Sequence, residues 1–163
     1  NILTICPPRL TGRSNRQGVF IPINEKIIPE KYDKIYDVIY CGFAGMPHVD
    51  EILQTISNYN YCLVSFSDQG GLTTHQNVTF LEKLNLIAQS KICVVHNMLG
   101  NGTPQLKSRA FEASFSQSLM LVLRDNFNLI EEWFTPGDHF LYYSNKEELN
   151  FLIKECSENY SEY

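Results

Sequence analysis

The sequence predicts an α/β domain built on a doubly wound parallel sheet of about five strands, with helices on both faces. Two observations predict it. Short apolar, β-branched and aromatic runs alternate along the chain with segments whose apolar residues recur at helical spacing. Those runs are also apolar almost without interruption, as strands covered on both faces require. Right-handed crossovers then give a Rossmann-like sheet.

The first strand is expected at residues 35–41, closed by Gly42. A turn-rich loop, Gly42-Phe43-Ala44-Gly45-Met46-Pro47, leads into a helix over 48–57, where Val49, Ile52, Leu53 and Ile56 share a face. The second strand, 61–66, is followed by a polar loop, 67–77. A helix over 79–89 carries Phe80, Leu81, Leu84 and Ile87, with Asn77 as its expected N-cap. The third strand is 92–96. A glycine-rich loop, 99–104, leads into a helix over 106–115. The fourth strand is 119–123, then a short helix at 129–133, a fifth strand at 140–143 and a closing helix at 146–156. The domain is expected to span 34–157, with a short tail at 158–163. Residues 1–33 hold Pro7, Pro8, Pro22 and Pro29 and short apolar segments at 2–5 and 19–23, and read as a linker or the tail of a preceding domain.

In such a sheet, ligands bind beyond the carboxyl ends of the strands, at the switch point. That selects residues 42–48, 67–75, 96–103 and 124–126. The net charge of −5 argues against nucleic acid, and only Arg9, Arg13 and Arg16 form a loose basic cluster. No stretch is long and apolar enough to span a membrane. The cysteines Cys6, Cys41, Cys62, Cys93 and Cys156 form no paired motif, and three of them sit in strand runs. They read as reduced, buried thiols of a cytoplasmic protein. His48, His75 and His96 match no metal spacing, and no metal or cofactor is expected. Asp125 reads as a loop cap, and the Tyr and Phe content reads mostly as core.

The most specific stretch is Lys107-Ser108-Arg109-Ala110-Phe111-Glu112-Ala113. After it come a strand, Asp125, Glu131-Glu132-Trp133-Phe134, Pro136-Gly137, Tyr142-Tyr143 and Glu147-Glu148-Leu149. This ordered set, over about residues 90–153, resembles the C-terminal signature of family-1- and family-4-like GT-B glycosyltransferases. The resemblance implies a donor-binding domain for a UDP- or GDP-sugar, with the acceptor site in an N-terminal GT-B domain that would precede this segment. It puts Glu112 on the ribose hydroxyls and His96 and Asn97 near the base. Arg109 and Lys107 would lie on the diphosphate, with N–H groups from the preceding loop and the helix start, and Ser108 is a further expected donor-binding residue. Gly42 and Gly45 would let the backbone come close to the donor. No catalytic residue is assigned. The segment 42–52 has no Arg or Lys, and position 104 is Pro104 where relatives often carry a glutamate. The alternative is therefore a non-catalytic GT-B-like or flavodoxin-like interaction module.

Overall fold

The computed structural model describes residues 3–4, 17–18, 25–29, 31–99 and 101–163. The basic cluster at Arg9, Arg13 and Arg16, Cys6, and nearly all of the apolar segments 2–5 and 19–23 lie outside the described residues. Strands β1 (Leu3–Thr4) and β2 (Gln17–Gly18) pair in parallel as a small separate sheet.

Six strands form the main sheet: β3 (Tyr36–Cys41), β4 (Tyr61–Ser65), β5 (His75–Gln76), β6 (Ser90–Val95), β7 (Leu119–Leu123) and β8 (Phe140–Tyr143). Their order is β5-β4-β3-β6-β7-β8 and every pairing is parallel. The sheet is Rossmann-like and winds outward in both directions from β3 and β6. It has one strand more than the sequence pattern suggests. The extra strand, β5, is a two-residue edge that pairs His75 with Val64 and Gln76 with Ser65. So short a segment inside a polar stretch carries no hydrophobic period.

Four α-helices cover the sheet: α1 (Pro47–Ile56), α2 (Phe80–Ala88), α3 (Arg109–Phe115) and α4 (Lys146–Glu158). Successive strand residues point to opposite faces, and both faces are apolar. On one face Ile39, Cys93 and Met120 meet Ile87 of α2 and Ala110 and Ala113 of α3. On the other, Val38, Leu63 and Val94 meet Ile52 of α1 and Ile153 of α4. Each large side chain buried this way stabilises the fold by about 1.5–3 kcal/mol.

Two helix starts differ from the sequence reading. Thr79, not Asn77, caps α2: its hydroxyl accepts from Glu82 N–H, while Glu82 accepts from Thr79 N–H. Asn77 instead continues the ladder, donating its N–H to Ser65 O, with φ at +51°. Helix α3 begins at Arg109, not near residue 106, because the segment before it is held extended. Gln105 N–H donates to Asn97 O, and Leu106 is buried in the core. The helix expected at 129–133 is a 3-10 turn, Leu129–Glu132. Among the described residues no helix is long and apolar enough to cross a membrane.

Candidate functional site

A cavity of about 430 Å³ opens beyond the carboxyl ends of β3, β4 and β6. This is the switch point, where the chain leaves β3 in one direction and returns to β6 in the other. Gly42 and Phe43 enter the cavity from the end of β3, and Ser65 and Phe66 from the end of β4. Phe80 and Lys83 reach it from α2, and His96 from the end of β6. Lys107 and Arg109 come from the turn into α3.

Three cations therefore converge from two separated segments. Burial, and then the nearby Arg109 cation, hold Lys107 below the ordinary lysine value. Burial also works against the Arg109 charge. The neighbouring groups, the Glu112 carboxylate among them, act the other way, and its pKa is raised. Cations crowded this closely favour an anion between them.

Several polar atoms at the cavity are buried and have no hydrogen-bond partner: Ser65 Oγ, Arg109 Nε and both ring nitrogens of His96. Buried polar atoms without partners cost stability and are scarce in native folds, so their convergence points to a ligand. His96 is only 3% exposed and stacks on His48, with centroids 4.4 Å apart and planes 18° from parallel. Burial first, then His48, Lys107 and Arg109, push the His96 pKa down to about 3. The ring is neutral when the cavity is empty.

The rim is aromatic. Phe43 and Phe66 stack at 5.5 Å, and Phe66 is 70% exposed. Lys83 Nζ lies 4.8 Å from the centre of the exposed Phe80 ring. Phe43, Phe66 and Phe80 depart from the reading of the aromatics as mostly core, because they are exposed beside the cations. Their sequence signal was aromatic residues placed in turn-rich or polar segments at strand ends and at a helix start.

The sequence-selected residues divide. Gly42, His96, Lys107 and Arg109 line the cavity; Gly45, Asn97, Ser108 and Glu112 are not in its lining. A Cβ on Gly42 would lie 2.7 Å from the Tyr40 hydroxyl, so what approaches this glycine closely is Tyr40. Gly45, at φ +94°, makes a turn and donates its N–H to Asp50. Asn97 is fully buried; its carboxamide has no partner. Glu112 is 3% exposed, accepts from Ser108 Oγ at 3.0 Å, and pairs with Lys83 Nζ at 2.9 Å. Glu112 Oε2 is held there by charge, without an aligned hydrogen bond. Lys83, which the sequence reading missed, thus belongs to both the cavity and Glu112.

Among the described residues, 67–75, 97–99, 101–103 and 124–126 contribute no lining. The loop after β6 folds back on itself: Leu99 N–H donates to Thr103 O, Gly102 N–H to Leu99 O and Thr103 N–H to Asn101. The loop after β3 is equally occupied, with Ala44 N–H on the Gln69 carboxamide and Gly42 N–H on Val64 O. Helix α3 is only seven residues long, and several of the loop N–H groups before it are already bonded. The charged groups lining the cavity are side chains. Asp125 caps its loop, accepting from Phe127 and Leu129 N–H. Among the described residues no group of three His, Cys, Asp or Glu side chains is placed to hold a metal.

Fold and site together define a Rossmann-like domain with a cationic, aromatic-rimmed cavity at its switch point. No protein-family model matches the chain, and no curated protein matches it significantly.

Proposed function

We propose that this chain is the donor-binding domain of a GT-B-like glycosyltransferase and holds a nucleoside diphosphate sugar in the switch-point cavity. One observation carries the reading: Lys83, Lys107 and Arg109 converge, beside unpartnered Ser65 and His96, on a cavity rimmed by Phe43, Phe66 and Phe80. The cations suit a diphosphate. The exposed rings suit the flat face of a base. The ordered motif around Arg109 and Glu112 supports the same ligand class. In this reading the domain stabilises the leaving diphosphate electrostatically. A second domain supplies the acceptor site. The free, buried thiols Cys41, Cys62, Cys93 and Cys156 support a cytoplasmic setting.

The Lys83–Glu112 ion pair favours the second reading, a non-catalytic interaction module, because it occupies the carboxylate that would bind the ribose. Calorimetric titration with UDP, GDP and uridine separates the two. Donor binding requires that UDP or GDP bind and that Arg109→Ala or Lys107→Ala weaken the diphosphate by about 10- to 100-fold, with little effect on uridine. Absence of binding at millimolar nucleotide overturns the donor reading in favour of the module.

A further inference from the structure

We infer that an anion entering the cavity draws a proton onto the stacked His48–His96 pair, so that binding and protonation are coupled. The inference rests on the donor-site reading only for the anion being a diphosphate. The geometry supplies the parts. His96 lines the cavity, its two ring nitrogens are buried without partners, and it lies flat against His48, whose Nε2 is also buried and unpartnered.

The charged and titratable groups around the pair explain why His96 is neutral. Lys107 and Arg109 face it from the turn into α3 and from α3 itself, and both lower the His96 pKa. Lys83 of α2 lines the same cavity, with its charge shared by Glu112. Tyr40 and Cys41 of β3 line it too, and burial raises both of their pKa values, so neither supplies a negative charge at neutral pH. At the end of β7, Asp125 is engaged with Phe127 and Leu129 N–H, and Arg124 stacks on Tyr142. Without a ligand, the surroundings are therefore cationic.

A diphosphate reverses that balance. Each negative charge about 5 Å away, at an effective dielectric of about 20, raises an imidazole's midpoint by about two pH units. Two such charges bring a ring that titrates at about 3 within reach of neutral pH. The protonated ring then donates to a phosphate oxygen, and the orphaned nitrogen gains a partner. By linkage, taking up one proton makes affinity rise as pH falls, by at most tenfold per pH unit.

The test uses two anions that do not themselves titrate between pH 5 and 8, UDP-glucose and sulfate. Calorimetry in buffers of different ionisation enthalpy counts the protons taken up, and titrations at pH 5.5 and 7.5 read the affinity. The expected result is proton uptake with either anion and about tenfold tighter binding at pH 5.5. His96→Asn and His48→Asn should remove the uptake, and His139→Gln, at an exposed site away from the cavity, should keep it. Urea unfolding shows whether each variant is folded. UDP-glucose binding with no proton uptake overturns this inference and leaves the donor reading standing. Proton-coupled sulfate binding without UDP-glucose binding upholds it and overturns the donor reading. Failure of both anions to bind overturns both, and uptake that persists in both Asn variants overturns this inference alone.

Discussion

The Lys83–Glu112 pair gives a prediction whose size follows from burial. Glu112 is almost wholly enclosed, while the Lys83 side chain is about one-fifth exposed, at 20%. Lys83→Met leaves a buried carboxylate with the Ser108 hydroxyl as hydrogen-bond partner and the Arg109 charge nearby. Breaking a fully buried pair by removing one partner costs about 3–5 kcal/mol. The partial exposure of Lys83 lowers that to about 2–3 kcal/mol. Glu112→Gln is different. The amide still accepts from Ser108, and Lys83 turns toward water at a cost of about 1 kcal/mol. Urea unfolding checks both variants. With a slope of about 2 kcal/mol/M for a chain of this size, Lys83→Met should lower the midpoint by about 1–1.5 M and Glu112→Gln by about 0.5 M. If Glu112→Gln costs as much as Lys83→Met, the damage does not come from stranding a buried charge, and the reasoning fails.

Three further outcomes follow from the described geometry. Thr79→Ala removes the capping box of α2 and should cost about 1 kcal/mol by urea unfolding. Because Thr79 hydrogen bonds hold the Glu82 pKa down, that difference should be full above pH 4.5, the ordinary value, and shrink as pH falls below it. Lys34 donates to Ala88 O, Ser90 O and Gln117 O, so Lys34→Met should cost about 1–3 kcal/mol by leaving carbonyls unpaired. Burial lowers the Lys34 pKa to about 8; the unfolded chain then holds more protons between pH 8 and 10.5, and wild-type stability should rise with pH across that window relative to Lys34→Met. Gly42→Ala forces a Cβ onto the buried Tyr40 ring and should lower the thermal midpoint by several degrees, whereas Tyr40→Ala/Gly42→Ala should show no added penalty from the glycine change.

The strands were legible because both faces of the sheet are covered. Leu119–Leu123 and Phe140–Tyr143 fall at the bounds their apolar runs indicate. Helices α1 and α4 were legible from their apolar stripes for the same reason. The start of α3 was not. A helical period can be read back through Leu106, but the Gln105–Asn97 backbone bond and the burial of Leu106 keep that turn extended. Strand β5 left no pattern because two residues at a sheet edge have no period. Asn77 reads as a good cap by residue type, yet Thr79 wins because Glu82, three residues on, completes the reciprocal bonds.

The site was legible only where its residues sit at strand ends or inside the Arg109–Glu112 motif. Lys83 looked like an ordinary charge on the polar side of a helix. It becomes a site residue because the crossover from β5 to β6 packs α2 against β6 and α3, so that Lys83 lines the same cavity as Arg109 and Lys107. Topology makes that meeting, and no local spacing encodes it. The same crossover explains why the missing basic residues after β3 do not leave the cavity uncharged. Several backbone N–H groups in both flanking loops are already bonded, so the side-chain cations are the main charged groups facing an anion here. Side-chain cations are mobile where backbone donors are fixed. Lys83 has two partners to choose between, Glu112 and whatever enters the cavity. An anion that recruits Lys83 leaves Glu112, outside the cavity lining, with the Ser108 hydroxyl on one of its two oxygens. The Lys83–Glu112 ion pair is therefore compatible with a ligand that brings an anion to replace the Glu112 charge. It opposes a ligand that brings hydroxyls alone, because such a ligand offers Lys83 no replacement charge.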